Sequence, residues 1–335
     1  MPRERSLADI FQLGYYWETK ILLTAVKLDV FSALHDSALP ASEIARQLQL
    51  DGRRLAFLLN ALVAMRILVK ENDCFSNTRV ARTYLDRSSS EYVGHLLLLH
   101  DAEWNNWGQL EETIRTGRSP VRRHVFETDP DMAANVLAVL HRIGRESGPE
   151  LARRLELHGA KRLLDVGGGA GTNAIAFCRE YPNLTATVFD LPKTLTVTKR
   201  MVEEAGLTDR IALQPGDFHA DSFDGMYDIA LMSDILHYQN AAQNLALIRK
   251  VHYHLVDGGR LVIKDRFLDT SGTSPAWTTA FAVHIMVNTE HGQCYTAREV
   301  KQWMEEAGFQ SVVELETCAV VQGTKRLKGE HPKYG

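Results

Sequence analysis

The chain has 335 residues, of which 45% are apolar and 24% are charged, and its formal net charge is −4. This length has room for two domains, and the composition is that of an ordinary soluble protein. The acidic balance argues against a general affinity for nucleic acid or anionic membranes. The four cysteines lack metal-ligand spacing, and neither a signal peptide nor a membrane span is indicated, so reduced thiols and a cytoplasmic location are expected.

The first hundred residues predict a helical domain that contains a winged helix-turn-helix unit. Apolar residues at helical spacing predict two helices over 7–34, then helices over 41–48 and 53–65, and a hairpin around 67–75. The helix over 53–65 is mostly apolar and has charges of both signs nearby. Packing on another domain or a second subunit is therefore favoured over DNA binding.

The middle of the chain predicts helices over 91–117 and 131–155. Trp104 and Trp107 lie at helical spacing in the first, and Asn135 lies on a polar face of the second. Paired tryptophans are more often core residues than substrate contacts, but pockets concentrate between domains. We therefore expect a winged-helix domain, a helical linker that contributes to the substrate pocket and a cofactor-binding domain, over 1–100, 101–157 and 158–335.

From residue 161 onwards strands and helices alternate, which predicts a doubly wound, Rossmann-like α/β domain. The predicted strands are 162–166, 185–189, 210–214, 227–232 and 260–265, and the predicted helices are 171–181, 193–205, 241–255 and 297–307. Gly258 and Gly259 are expected to stop the third of these helices and to turn into the fifth strand. Two further strands, 311–316 and 318–322, are expected to close the sheet in antiparallel direction.

A glycine-rich stretch follows the first strand of this domain. Asp165, Gly167 and Gly169 alternate, and Thr172 stands where a dinucleotide-binding fingerprint needs glycine. Asp190 ends the second strand 21 residues after Gly169, where a carboxylate can accept the hydroxyl protons of a ribose diol. The spacing therefore predicts an adenosine-containing cofactor and excludes the dinucleotide and phosphate-loop versions of this motif.

Two further candidate sites follow the third and fourth strands. After the third, Asp217 is a candidate acceptor for an adenine amino group and Phe218 for packing on the adenine ring. After the fourth, His237 is the candidate general base, because a neutral imidazole takes up a proton near neutral pH. The predicted cofactor-binding residues are Asp165, Gly167, Gly169, Asp190, Leu191, Gly216, Asp217, Phe218 and Ser233.

The substrate side of the site is less clearly marked. The candidate substrate residues are Trp104, Trp107, Asn135, His284 and His291. With Glu290, the histidines 237, 284 and 291 have the ligand types of a divalent metal site, but their spacing forms no local motif. No metal is therefore predicted, and His237 with His291 is the alternative in which one is bound.

These motifs resemble the class I small-molecule O-methyltransferases of the caffeate and hydroxyneurosporene type, over nearly the whole chain. The resemblance is carried by the winged-helix domain and by residues 164–169, 189–192, 216–218, 235–237, 258–261 and 306–309. It implies a Rossmann-like methyltransferase domain, S-adenosylmethionine (AdoMet) as methyl donor and a small-molecule acceptor. It also implies a homodimer formed through the N-terminal domain, and His237 at the catalytic-base position.

Three positions depart from the family pattern. Many members have Asp-Trp after the histidine, where this chain has Tyr238 and Gln239, and many have a lysine four residues before it, where this chain has Ser233. Many also have Glu-Arg-Thr before the last helix, where residues 294–296 are Cys-Tyr-Thr. The carboxylate that braces the base is therefore expected to be missing. These changes concern the acceptor chemistry and leave cofactor binding untouched.

Three functions remain open on this basis. The leading one is O-methylation of a small aromatic or heteroaromatic metabolite, with His237 as base. The second is C-methylation of an acidic carbon of tetrapyrrole or 2-oxo acid type, assisted by a metal on His237 and His291, with Arg142 or Arg145 facing a substrate carboxylate. The third is a DNA-binding regulator that senses AdoMet, against which the charge argues.

Overall fold

The computed structural model describes residues 4–121, 125–315 and 319–327. The chain forms two compact units, Met1–Trp104 and Asn105–Gly335. The long helix of the expected linker segment belongs to the second unit. Within the described part of the chain, the helices are all too short or too polar to cross a membrane.

The first unit has the predicted winged-helix architecture. Its elements are α1 (Leu7–Gly14), α2 (Trp17–Lys27), α3 (Val30–Leu34), β1 (Leu39–Pro40), α4 (Ala41–Leu48), α5 (Gly52–Ala64), β2 (Leu68–Glu71), β3 (Cys74–Asn77), α6 (Arg79–Leu85) and α7 (Gly94–Ala102). The strands pair in the order β1-β3-β2, with β2 and β3 as the hairpin. The prediction of two helices over 7–34 was wrong, because the left-handed backbone of Asp29 (φ 62°) separates α2 from α3.

The remaining elements form the α/β domain. They are α8 (Trp104–Trp107), which starts at the unit boundary, α9 (Leu110–Thr116), α10 (Val125–Thr128), α11 (Pro130–Leu155), β4 (Arg162–Val166), α12 (Thr172–Glu180), β5 (Thr185–Asp190), α13 (Pro192–Ala205), β6 (Ile211–Pro215), β7 (Tyr227–Ser233), a 3₁₀ turn (Leu236–Tyr238), α14 (Ala241–Tyr253), β8 (Leu255–Lys264), α15 (Ala276–Asn288), α16 (Ala297–Glu306), β9 (Phe309–Leu315) and β10 (Val320–Lys325). The single helix predicted over 91–117 is three helices, and the asparagines and Gly108 between α7 and α9 are poor helix formers.

Seven strands form one sheet in the order β6-β5-β4-β7-β8-β10-β9. The first five are parallel, and β10 is antiparallel to both of its neighbours, which confirms the predicted doubly wound sheet and its antiparallel ending. The residues 316 and 318 that were assigned to the last strands lie outside the described residues. The carboxyl ends of the five parallel strands meet at one edge, where ligands bind in sheets of this kind.

One turn was predicted in the wrong place. Gly258 and Gly259 lie inside β8, and the preceding helix already ends at Tyr253. The pairing of β7 with β8 shifts between Tyr227 and Ile229, and Gly258 has a φ of 78°. The glycines therefore form an irregularity within the strand, where a positive φ is accommodated without a side chain.

The sheet is buried on both faces, because successive strand residues point to opposite sides. Leu163 on β4 packs into the core beneath α11, α12 and α13, whereas the adjacent Leu164 packs into the core beneath α14 and α16, and both are fully buried. Helix α15 was not predicted. Its apolar residues surround the helix without a preferred face, so it gives no 3.6-residue pattern.

Candidate active site

The glycine loop lies where β4 meets α12 at the carboxyl edge of the sheet. Gly167 and Gly169 have φ values of 64° and 56°, a left-handed backbone that glycine adopts without strain. The N–H of Gly167 donates to the carbonyl of Phe189 (2.8 Å), and the N–H of Gly169 donates to Oδ2 of Asp190 (2.8 Å). The other carboxylate oxygen of Asp190 accepts from the N–H of Leu191 (2.7 Å). The ends of β4 and β5 are thus joined around the Asp190 carboxylate.

Asp165 lies beneath this loop, whereas Asp190 faces its half-buried outer side. The Asp165 side chain is 1% exposed, and both of its oxygens lack a hydrogen bond of standard geometry. Burial and, to a smaller extent, the nearby Asp190 charge raise the pKa of this carboxyl to about 7, against the opposing effect of the Ala174 N–H. Burial also raises the pKa of Asp190, against the hydrogen bonds from Gly169 and Leu191. Asp165 therefore supports the loop from inside and has no exposed atom to offer a ligand.

A methyl group at Gly168 is expected to disturb both the loop and the fold. A Cβ there would lie 2.8 Å from Cγ and Oδ2 of Asp165 and 2.8 Å from Cγ1 of Val188. Gly168→Ala should therefore lower the free energy of unfolding by about 1–3 kcal/mol, as overpacking of a core does, and weaken AdoMet binding. Gly14→Ala is the matched control, since a Cβ there meets nothing within 4 Å. Urea unfolding and calorimetry measure the two effects, and wild-type values for Gly168→Ala would contradict the prediction.

The segment after β6 lies against the same loop. The N–H of Gly216 donates to the carbonyl of Asp190 (3.0 Å), and Cε1 of Phe218 is 3.5 Å from where a Cβ on Gly167 would be. Oδ1 of Asp217 accepts from the N–H of His219 (2.8 Å) and is half-buried. The structure therefore brings the predicted residues 216–218 to the glycine loop.

His237 lies on the 3₁₀ turn after β7, and the structure gives it a carboxylate partner. Its Nδ1 is 2.6 Å from Oδ1 of Asp265, and the side chains of both residues are buried, at 3% and 5% exposure. Asp265 is held by the N–H of Leu236 (3.0 Å to Oδ2) and by the N–H of Arg266 (2.7 Å to Oδ1). An ionised Asp265 makes Nδ1 the donor, which leaves the lone pair on Nε2. This is the arrangement of an oriented general base.

The expectation that the bracing carboxylate is missing was therefore wrong. Asp265 follows β8, which is paired with β7, so the two strand ends bring Asp265 and His237 together across 28 positions of sequence. Cys294 occupies the position at which many family members have the glutamate of Glu-Arg-Thr. Burial and the Asp265 charge raise the pKa of its thiol to about 12, against the effect of the Arg266 charge, so Cys294 stays neutral.

The end of β7 continues into a cluster of charges. Oδ2 of Asp234 is 2.8 Å from Nζ of Lys264 and accepts from the hydroxyl of Ser233 at 3.0 Å, and Nε of Arg266 lies 3.7 Å from Oδ1 of Asp234. Burial would raise the pKa of Asp234, but the Lys264 and Arg266 charges outweigh it and lower this pKa. Ser233, predicted to bind the cofactor, is thus tied to the carboxylate of its neighbour.

Helix α15 adds a row of aromatic side chains beside His237. The rings of Trp277 and Phe281 are stacked at 5.0 Å, and Phe281 stacks on His284 at 5.6 Å. The edge-to-face contact of Phe281 with His237 is 5.1 Å between centroids. The predicted substrate residues His284 and Trp107 lie near each other, with centroids 6.2 Å apart. An apolar, aromatic wall therefore adjoins the candidate base.

Other predicted residues are not part of this group. Trp104 belongs to the first unit, where Nζ of Lys20 lies 4.4 Å from its ring centroid. Asn135 is exposed on α11. The His291 side chain is 50% exposed and lies 4.0 Å from the Glu290 carboxylate, whereas His237 is buried. In the described residues, no three histidine, cysteine or acidic side chains are grouped as a metal site requires.

Comparison with known proteins indicates the family that the sequence motifs resemble. Residues 107–310 match the O-methyltransferase domain family, and residues 11–87 match the O-methyltransferase dimerisation domain. The tetracenomycin polyketide synthesis 8-O-methyltransferase TcmO of Streptomyces glaucescens is 31% identical to this chain, over 98% of each. The 3-hydroxy-5-methyl-1-naphthoate 3-O-methyltransferase of Streptomyces sahachiroi is 30% identical, over 88% of this chain and 87% of that protein.

Solved structures agree with the sequence relatives. An O-methyltransferase family protein from Burkholderia thailandensis superimposes with a TM-score of 0.87 and 26% identity, over 98% of this chain and 100% of that one. The match includes both the winged-helix unit and the seven-stranded sheet. The chain therefore belongs to the O-methyltransferase family, the enzymes that transfer a methyl group from AdoMet.

Proposed function

We propose that this enzyme methylates a ring hydroxyl of a small, fused-ring aromatic metabolite, with His237 as general base. The observation that carries the proposal is the buried His237–Asp265 pair, 2.6 Å apart, beside the glycine loop. The two relatives named above act, by their names, on oxygen positions of a polyketide and of a naphthoate. An acceptor of that class has a flat aromatic ring system, which can pack against the row of rings on α15.

The loop residues fit the adenosine end of AdoMet. The Asp190 carboxylate accepts the N–H groups of Gly169 and Leu191 and a hydrogen bond from the side chain of Thr194. A carboxylate has about four lone-pair sites, which leaves it capacity for a hydroxyl of the ribose. Residues 167–169 are half-buried and lack side chains, so their backbone can be approached closely. Phe218 and Asp217, beside the loop, are proposed to contact the adenine. Gly216, Leu191 and Ser233 are proposed to complete the pocket, with Asp165 as its support.

In this proposal the protein removes the proton of the acceptor hydroxyl as the methyl group is transferred. Bound AdoMet supplies an electrophilic methyl group on a sulfonium. A phenol has a pKa of about 10 and an imidazole one of about 6.5, so Nε2 of His237 can take the hydroxyl proton as the new bond forms. Asp265 holds the Nδ1–H tautomer and stabilises the imidazolium that results. Burial of the pair keeps water from competing for that proton.

The acceptor side is proposed to combine α15 with the segment 101–157. Nδ2 of Asn106 donates to Oδ1 of the buried Asn288 (2.8 Å), and Asn288 lies 3.2 Å from Nδ1 of His284. This polar group ends the aromatic row opposite Trp277. We infer that it contacts polar substituents of the acceptor, with Trp107 beside it. Roles for Trp104, Asn135 and His291 remain predictions from the sequence.

We further propose that the enzyme is a homodimer formed through residues 1–100. The match to the dimerisation domain and the apolar, exposed face of α1, with Phe11 57% and Leu13 65% exposed, support this. Cys178, fully buried and free, is consistent with a reducing cytoplasm as the site of action. Nucleic acid and membranes have no role in the proposal.

Methyl transfer itself is the direct test. The purified chain with AdoMet is expected to methylate at least one hydroxynaphthalene or larger fused-ring phenol at oxygen, with one S-adenosylhomocysteine formed per product. Mass spectrometry of the product locates the methyl group. Chelation with EDTA should leave the rate unchanged, since the proposed mechanism uses no metal.

Each alternative predicts a different outcome. A carbon-bound methyl group, or a rate abolished by EDTA and restored by a divalent metal, would replace the proposal by C-methylation with His237 and His291 as ligands. Retardation of DNA at physiological salt without methyl transfer would favour the regulator. No contact in the described residues favours either of these.

A further inference from the structure

Arg266 places a positive charge on the aromatic row of α15. Its guanidinium carbon lies 4.5 Å from the ring centroid of Trp277 and 5.0 Å from that of Phe281. The two rings are nearly parallel, at 15°, so the guanidinium has a flat aromatic support. Stacking of this kind favours arginine over lysine, because the guanidinium is planar and weakly hydrated.

The ion pair that Arg266 makes with the carboxylate of Asp234 is a long one. Asp234 is paired with Lys264 at 2.8 Å, and its distance of 3.7 Å from Nε of Arg266 is too long for a hydrogen bond. Asp265 is occupied by His237 and by two backbone N–H groups. Among the described residues, no side-chain or carbonyl oxygen accepts a hydrogen bond from the Arg266 guanidinium, and the side chain is 41% exposed. Its N–H groups are therefore available to a ligand.

The charge of Arg266 also lies close to His237, the proposed general base. Phe281 contacts both groups, since its ring centroid is 5.1 Å from that of His237, edge to face, and 5.0 Å from the guanidinium carbon of Arg266. Arg266 is also the next residue after Asp265. A ring hydroxyl that reaches His237 therefore brings neighbouring substituents of the same ring system towards Arg266.

We propose that Arg266 binds a carboxylate carried by the acceptor, so that the enzyme selects an acidic hydroxyarene over its neutral counterpart. The inference rests on the proposed function, since it assumes that an aromatic acceptor lies beside His237. The paired N–H groups of a guanidinium match the two oxygens of a carboxylate, and the stacked rings fix the plane in which they point. The alternative ligand for Arg266 is the amino-acid carboxylate of AdoMet, which has the same chemistry.

The test compares a hydroxynaphthoate with its carboxamide, which has the same size and no charge. For the wild-type enzyme, kcat/KM is expected to be about 10–100-fold higher for the acid, the effect of one charged hydrogen-bonded pair. Arg266→Gln should remove most of this preference by raising KM for the acid, and its rate with the carboxamide should stay within a few-fold of the wild-type rate. Arg266→Lys should retain part of it, and Arg298→Gln, at an exposed position of α16, should retain all of it.

Binding of S-adenosylhomocysteine, measured by calorimetry, separates the two carboxylate sources. The proposal expects the same affinity in wild type and Arg266→Gln. A weaker affinity, with both acceptors slowed equally, would overturn it in favour of AdoMet binding. Equal wild-type kcat/KM for acid and carboxamide would also overturn it, while O-methylation of both would leave the proposed function standing. Absence of O-methylation for all hydroxyarenes would instead reject the proposed function.

Discussion

Replacing His237 by glutamine is expected to lower kcat by about 10²–10⁴-fold, the usual contribution of a general base. Glutamine keeps a polar side chain of similar reach but cannot take up a proton near neutral pH. The glycine loop and Asp190, which are proposed to bind AdoMet, make no hydrogen bond to His237 among the described contacts. The affinity for S-adenosylhomocysteine should therefore stay within about two-fold of wild type, well below the tenfold that 1.4 kcal/mol represents.

Turnover and single-turnover rates measure the loss of activity, and calorimetry on the same preparation measures the affinity for S-adenosylhomocysteine. The matched control is His158→Gln, because residue 158 precedes β4 at the amino end of the strand, opposite the glycine loop. A series of acceptors with increasingly acidic hydroxyls adds a second readout. If His237 removes the proton, the loss should shrink as the hydroxyl ionises by itself. Full activity of His237→Gln, or a loss independent of hydroxyl acidity, would contradict its role as base.

The grouping of the residues proposed to bind AdoMet could be predicted because its signals are local. A short apolar strand, glycines at fixed spacing and an acidic residue at the next strand end lie within about 30 residues, the size of one βαβ unit. The same holds for residues 216–218, which directly follow a strand. In each case the carboxyl end of a parallel strand puts the residue at one edge of the sheet.

The acceptor half could not be predicted, because its contacts are made between distant segments. Asp265 meets His237 only because β7 and β8 are neighbours in the sheet, and the sequence around Asp265 has no motif. The family pattern therefore points to Cys294, where this chain has no carboxylate. The contact of Asn106 with Asn288 spans 182 positions. Helix α15, which holds most of the aromatic row, was missed since it lacks a polar face.

The two proposed halves of the site also make largely different contacts. Most residues proposed to bind AdoMet are tied to backbone groups of β4, β5 and β6, whereas His237 is tied to the end of β8 and Ser233 to Asp234 after β7. Ile235 is the link, since its Cγ2 lies 2.9 Å from where a Cβ on Gly167 would be. Changes in the acceptor half are therefore expected to alter turnover with little effect on AdoMet binding.

Asp265→Asn tests that separation most sharply and is expected to lower kcat by roughly 10²–10⁴-fold, the upper end being the loss found for the same change beside the histidine of a Ser-His-Asp triad. An asparagine can turn its amide N–H towards Nδ1 of His237, which would then accept and leave the proton on Nε2. Nε2 of His237 would then present an N–H to the acceptor hydroxyl instead of a lone pair. The carboxylate that stabilises the imidazolium would also be lost. In that orientation the asparagine oxygen still accepts from the N–H of Leu236, as Oδ2 of Asp265 does, so the fold should be retained.

The matched control is Asp257→Asn, an exposed position at the other end of β8. Rates at saturating AdoMet and acceptor, together with NMR of the His237 ring nitrogens, follow the two expected changes. The Nδ1–H signal of the wild type should give way to an Nε2–H signal in Asp265→Asn, with affinity for S-adenosylhomocysteine unchanged. A wild-type rate with the tautomer reversed would show that proton removal by His237 does not limit turnover. A lower rate with the tautomer retained would assign the effect to the lost charge alone.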